Sequence, residues 1–188
     1  MEFFFDVVSP YSYLASTQIA SLESLTTVRW RPMYLGGLMG AVGNVPPGSL
    51  APRARYMLQD LQRWAARYDV PFRFPKVFPQ KTLRAMRMIE AANDRASAAR
   101  RLFRAYWVEG ENLSDDATLE RLSEEIGEPL FERSADSAVK DALRASTDEA
   151  ASRGAFGAPT FFVGDTMFFG NDRLDFVRTA ISEGPSDG

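Results

Sequence analysis

Apolar and polar positions along the chain change rhythm several times. Residues 3–8 (FFFDVV) are an apolar run interrupted by one acid and stopped by Ser9-Pro10, which predicts a short buried strand. Ser9 then suits a helix N-cap and Pro10 the first helical position, and Ala15, Ile19 and Leu22 recur at helical spacing. Residues 27–34 (TVRWRPMY) alternate as a second strand, with Pro32 marking an edge or a strand end. The chain therefore opens β-α-β.

Residues 36–52 hold five Gly and three Pro in 17 positions and read as a long loop and a module boundary. Helical periodicity follows. Met57, Leu61, Trp64 and Tyr68 form the apolar stripe of one amphipathic helix, and after the loop from Pro71 to Pro79 the pattern resumes with Leu83, Met86 and Ile89, then Leu102, Phe103 and Tyr106. Ser114 with Asp115 and Asp116 announces a helix ending at Gly127. A last long helix is expected from about Ser134 to Arg153, with Ala135, Val139, Ala142 and Leu143 on one face and Gly154 as its stop. Beyond it, 159–163 (PTFFV) and 166–169 (TMFF) read as a hairpin around Gly164-Asp165. Gly170-Asn171-Asp172 opens a closing helix with Leu174, Val177 and Ile181 inward, and the tail from Glu183 is expected to fray. This order describes an α/β protein: a small sheet of four strands flanked by helices, with an all-helical insertion between its halves.

Composition narrows the chemistry. The chain has 188 residues, and 22 Lys and Arg against 25 Asp and Glu leave a net charge of −3, so no basic field points to nucleic acid. With no cysteine there is no disulfide, thiolate nucleophile or Cys-ligated metal, and with no histidine there is no imidazole base or His-based metal site. No metal is expected. The acidic start MEFFFD lacks the pattern of a secretory signal, and no apolar run is long enough to span a membrane, so the expectation is a soluble cytoplasmic protein without a membrane partner.

Three places remain as candidates. At Val8-Ser9-Pro10-Tyr11-Ser12, the Ser9 hydroxyl stands among unpaired helix-start amides, either as an ordinary cap or as a hydrogen-bond donor to another molecule's anion. Pro159 after Gly157-Ala158 is either a plain strand-start proline or a cis proline that leaves the Ala158 peptide groups open to an extended peptide. Asn171 and Asp172 either cap the last helix or hold a zwitterionic amino-acid end, with helix amides on its carboxylate and Asp172 on its amine. Gly43-Asn44 is a generic turn, Tyr106-Trp107 reads as core, and Arg53, Lys76 and Lys81 are solvated charges or face an anionic substrate.

The strings FFFDVV-SPYSYLA, GNVPPG, DLQRWA with VPFRFP, GAFGAPTFFVGD and FFGNDRLD resemble, in the same order, the 2-hydroxychromene-2-carboxylate isomerases and the related kappa-class glutathione transferases. The resemblance runs from residue 2 to about 181. It implies a thioredoxin-like domain with a helical insertion domain: residues 1–45 and 154–184 as a discontinuous glutathione-binding domain, 46–153 as the insertion. Where related disulfide oxidoreductases carry C-x-x-C, this chain has Ser9-Pro10-Tyr11-Ser12, so the reactive sulfur is borrowed from glutathione.

Carried over position by position, Ser9 is the catalytic serine that hydrogen-bonds the glutathione sulfur and lowers its pKa, with Pro10 and Tyr11 lining that site. Asn44 is a loop contact to glutathione, Ala158 before Pro159 pairs with the cysteinyl backbone, and Asn171 and Asp172 hold the γ-glutamyl end. The implied reaction interconverts 2-hydroxychromene-2-carboxylate and trans-o-hydroxybenzylidenepyruvate by thiolate addition, rotation and elimination. Met39 stands where the naphthalene-pathway isomerases place a lysine, and Phe78 where they place a tyrosine near the substrate. The segment after Pro47 is slightly shorter, and Arg53 is the candidate replacement cation. The alternatives are a kappa-like transferase that conjugates or reduces electrophiles, and a non-catalytic thioredoxin-like peptide-binding module. A homodimer acting on a small aromatic carboxylate or other electrophile completes what the resemblance implies.

Overall fold

In the computed structural model, which describes residues 1–184, strands β1 (Glu2–Phe5), β2 (Arg29–Pro32), β3 (Thr160–Val163) and β4 (Thr166–Phe169) form one sheet ordered β2-β1-β3-β4. The expected fraying of the tail at residues 185–188 lies outside the described residues. β1 runs parallel to β2 and antiparallel to β3, and the β3–β4 hairpin closes at Val163 opposite Thr166. Pro32 ends an edge strand, where a missing N–H breaks no ladder.

Central β1 is covered on both faces. Phe3 and Phe5 pack with Trp30, Phe161 and Phe103 on one side, and Phe4 packs with Phe162 on the other. All three β1 phenylalanines are fully buried, and each such side chain contributes about 1.5–3 kcal/mol. The strand ends at Phe5 rather than running to residue 8, because the buried Asp6 carboxylate turns back to accept the Val8 N–H.

Ten α-helices are described: α1 (Pro10–Ser16), α2 (Ala20–Glu23), α3 (Leu35–Val42), α4 (Ala51–Tyr68), α5 (Leu83–Ala91), α6 (Arg95–Arg104), α7 (Asp116–Ile126), α8 (Leu130–Arg133), α9 (Ser137–Ser152) and α10 (Leu174–Glu183). α5 packs against β2, α6, α8 and α9, while α10 lies on β3 and α1 meets α4. One buried cluster joins Phe3 and Phe5 to Leu102, Leu119 and Leu143, and a smaller one lies on the Phe4 face. Among the described residues no helix is long and apolar enough to cross a membrane.

Three expectations about elements are corrected. The single helix after Ser9 is two, because the Ser16 and Thr17 hydroxyls bond the carbonyls three residues back and compete with the helix ladder. The Gly-rich loop after residue 35 contains α3. Two of its three glycines serve packing: a Cβ at Gly36 would stand 2.9 Å and one at Gly37 3.1 Å from the Tyr34 ring, while Gly40 faces open space. The helix expected from about Ser134 to Arg153 is α9, which starts at Ser137 with extended Asp136 in the N-cap position; of its proposed apolar face only Leu143 is fully buried, with Ser146, Thr147 and Ala150 beside it.

Candidate active site

The β1–α1 junction is built by backbone chemistry. Ser9 is extended (φ −81°, ψ 116°), its Oγ accepts the Ser12 N–H at 3.1 Å, and its carbonyl accepts the Tyr13 N–H at 3.1 Å. Pro10 has no N–H to satisfy. The Tyr11 N–H is thus the first-turn amide left without an acceptor among the described residues. α1 has only seven residues, so local amides matter here more than a summed dipole.

Ser9 is 5% exposed, and its hydroxyl donates to the Ala158 carbonyl at 2.9 Å. The Ala158-Pro159 peptide is cis, and Ala158 and Pro159 stand directly against the serine. The expectation that both Ala158 peptide groups are open is half corrected: the carbonyl is occupied by Ser9, while the N–H has no acceptor among the described residues. The Gly170 N–H donates to the Pro159 carbonyl at 3.0 Å, which brings the Asn171-Asp172 turn beside this loop.

At that turn Gly170 has φ +103°, and a Cβ there would meet Asp172 Oδ1 at 2.5 Å, so glycine is required to seat the carboxylate. Asn171 is buried and its carbonyl accepts the Tyr68 hydroxyl at 2.9 Å. The Asp172 carboxylate is partly exposed and pairs with Arg173 at 3.1 Å. Across the mouth the Tyr11 hydroxyl donates to Asp60 Oδ2 at 2.9 Å. Burial raises the Tyr11 pKa, and the carboxylates of Asp60 and Asp172 raise it further, so the phenol keeps its proton. Asn44 uses both ends of its amide: Nδ2 donates to the Phe156 carbonyl at 2.7 Å and Oδ1 accepts the Val45 N–H.

Ser9, Tyr11, Ala158, Pro159, Asn171 and Asp172 therefore meet at one place, with Asn44 tied to the segment that leads into it. Arg53 and Phe78 do not join by any hydrogen bond or ion pair among the described residues. Arg53 is exposed in the first turn of α4, and Phe78 packs in an aromatic cluster 5.0 Å from Phe74 and 5.9 Å from Trp107.

Periodicity alone misses two contributors. Asp60 sits on the α4 face opposite Tyr11 and carries no local signal. Asp6 has one, an acid inside an apolar strand. It is fully buried; Oδ1 accepts the Val8 N–H and the Thr82 hydroxyl, and Oδ2 accepts the Leu35 N–H at the start of α3. Burial pushes its carboxyl up to about 6, against those hydrogen bonds.

The family model for the DSBA-like thioredoxin domain matches residues 1–182. A 2-hydroxychromene-2-carboxylate isomerase of Sphingobium xenophagum is 33% identical over 189 residues, covering 96% of this chain and 97% of its own length. The chain belongs to this isomerase family, within the DsbA-like thioredoxin group. A solved 2-hydroxychromene-2-carboxylate isomerase structure superposes with a TM-score of 0.88 at 31% identity, over 97% of this chain and 94% of that one. Glutathione S-transferase kappa 1 of Homo sapiens is 30% identical over 205 residues, 97% of this chain and 91% of its own length. The family match covers the stretch from Ser9 to Asp172, and the thioredoxin-like fold that the resemblance implied is the fold observed.

Proposed function

We propose that the chain is a glutathione-dependent isomerase of an aromatic-catabolic intermediate, interconverting 2-hydroxychromene-2-carboxylate and trans-o-hydroxybenzylidenepyruvate. The observation that carries this reading is the Ser9 hydroxyl, buried at the start of α1 and 2.9 Å from the Ala158 carbonyl. The donor set fits glutathione. The Tyr11 and Ala158 N–H groups, without acceptors among the described residues, suit a thiolate and a peptide carbonyl, and the carboxylates of Asp172 and Asp60 suit an ammonium group. Glutathione held by these residues would supply a thiolate nucleophile for the isomerisation and would be recovered unchanged.

The work of this chain is positioning. Ser9 turns its hydroxyl from the Ala158 carbonyl toward the sulfur while Oγ keeps the Ser12 N–H, so the oxygen stays placed as the proton changes acceptor. The Ala158 carbonyl released by that turn becomes an acceptor for a peptide N–H. Tyr11 remains a neutral donor to Asp60 and closes the wall beside the sulfur position. Arg53 is our candidate cation for the substrate carboxylate and Phe78 a candidate aromatic contact. We assign residues 1–45 and 154–184 to the glutathione-binding domain and 46–153 to the helical insertion, in a cytoplasmic homodimer.

The test mixes protein, glutathione and 2-hydroxychromene-2-carboxylate and follows enone absorbance together with the free-thiol titre. Isomerisation raises the absorbance at constant thiol. The identity to a kappa-class transferase favours one second reading, in which the same thiolate is consumed stoichiometrically by an electrophile. Neither turnover nor glutathione binding at millimolar concentration would leave only the peptide-binding module.

A further inference from the structure

A cleft of about 360 Å³ opens between the starts of α5 and α7 and the α8–α9 connection, lined by none of the residues assigned to glutathione. Four cationic side chains, Lys81, Arg84, Arg87 and Lys140, face it against the single carboxylate of Asp116. This is a concentration of positive charge on a chain whose net charge is −3. Arg84 is committed: it pairs with Asp116 at 2.7 Å, reaches Ser134 at 3.3 Å and lies 3.7 Å over the Phe131 ring. The other three cations have no anionic partner among the described residues. Arg87 goes further, since its Nε is buried and has no hydrogen-bond acceptor among the described residues. A buried guanidinium donor without an acceptor is costly, and concave walls focus the field of the surrounding cations.

The opposite requirement comes from the apolar side of the same cleft, where half-buried Leu83 is backed by Leu113 and Leu119 of the core. A free inorganic anion satisfies the cations and leaves that apolar side unused. We propose that this cleft binds a small organic carboxylate, its charged group between Arg87, Lys81 and Lys140 and its apolar body against the wall at Leu83. The volume lies near the lower end of small-molecule sites, about 300–1,000 Å³, and suits a single-ring acid. The site is independent of the glutathione reading.

Calorimetric titration of the full chain with benzoate, acetate, benzamide and inorganic phosphate tests it. Benzoate is expected to saturate at one site, with acetate and benzamide weaker because each carries half of the recognition. Lys140→Gln and Arg87→Gln are each expected to raise the benzoate Kd about tenfold, whereas Ser9→Ala leaves it unchanged. Added salt should weaken binding. Lys140 is half-buried and has no anionic partner among the described residues, so its variant keeps the test alive if Arg87→Gln fails to fold. The proposal is overturned if benzoate gives no saturable heat at millimolar concentration, if both Gln variants bind it like the parent, or if phosphate binds as tightly as benzoate.

Discussion

Substituting Asp6 by Asn should flatten the pH dependence of stability. Asp6 is fully buried, and its carboxyl is raised from 3.8 to about 6 chiefly by desolvation. An acid whose folded pKa exceeds its unfolded one keeps a proton in the native state that the unfolded chain has released. Stability therefore falls as pH rises from about 4 through about 6, and levels off having lost about 3 kcal/mol. Asn has no charge to desolvate, but it sets an N–H where one oxygen now accepts. The Leu35 N–H, or the pair from Val8 and Thr82, then faces a donor at a pH-independent cost of about 1–3 kcal/mol. Urea unfolding of both proteins across about pH 4 to 7 isolates the effect. The advantage of Asp over Asn should shrink by about 3 kcal/mol over that window, or about 6–12 °C in Tm for a chain of this size. Surface carboxyls such as Glu109 and Glu125, held below their usual range by arginines, have the opposite sign and cancel because both proteins carry them. Stability curves that stay parallel across the window would refute the reasoning.

Ser9→Ala should cut turnover at saturating glutathione about ten- to hundredfold, the worth of one hydrogen bond to a charged group, with little change in glutathione Kd; loss confined to binding would contradict the assigned role. Asp172→Ala should do the reverse, raising glutathione Kd in calorimetry while turnover at saturation persists. Gly170→Ala combines a φ of +103° with a 2.5 Å approach to Asp172 Oδ1, so it should lose stability and glutathione affinity together. Gly164→Ala, with φ +57° and no atom within 4 Å of the new Cβ, should lose only stability, by about 1 kcal/mol in thermal melts.

Local chemistry explains which parts of this molecule can be read without a structure. The Ser9-Pro10 helix start, the Asp115 cap and Gly127 stop of α7 and the Gly164-Asp165 hairpin act within a few residues, and each falls where its residues predict. α3 defeats that kind of reading, because Gly36 and Gly37 are there for the Tyr34 ring and its start is held by Asp6 from the end of β1. The site is similar: its decisive hydrogen bond joins Ser9 to Ala158, 149 residues apart, and nothing in either neighbourhood announces the other. Family resemblance implied that both residues face one ligand, and geometry adds that the hydroxyl is already engaged by the carbonyl. Asp6 lies between the two cases. Its oddity within FFFDVV is visible at once, but its meaning depends on donors at residues 8, 35 and 82. Those donors belong to the segments that carry Ser9, lead to Asn44 and start α5. A carboxylate kept in a fully buried position at an energetic cost is thus best understood as the joint that sets these three segments against one another.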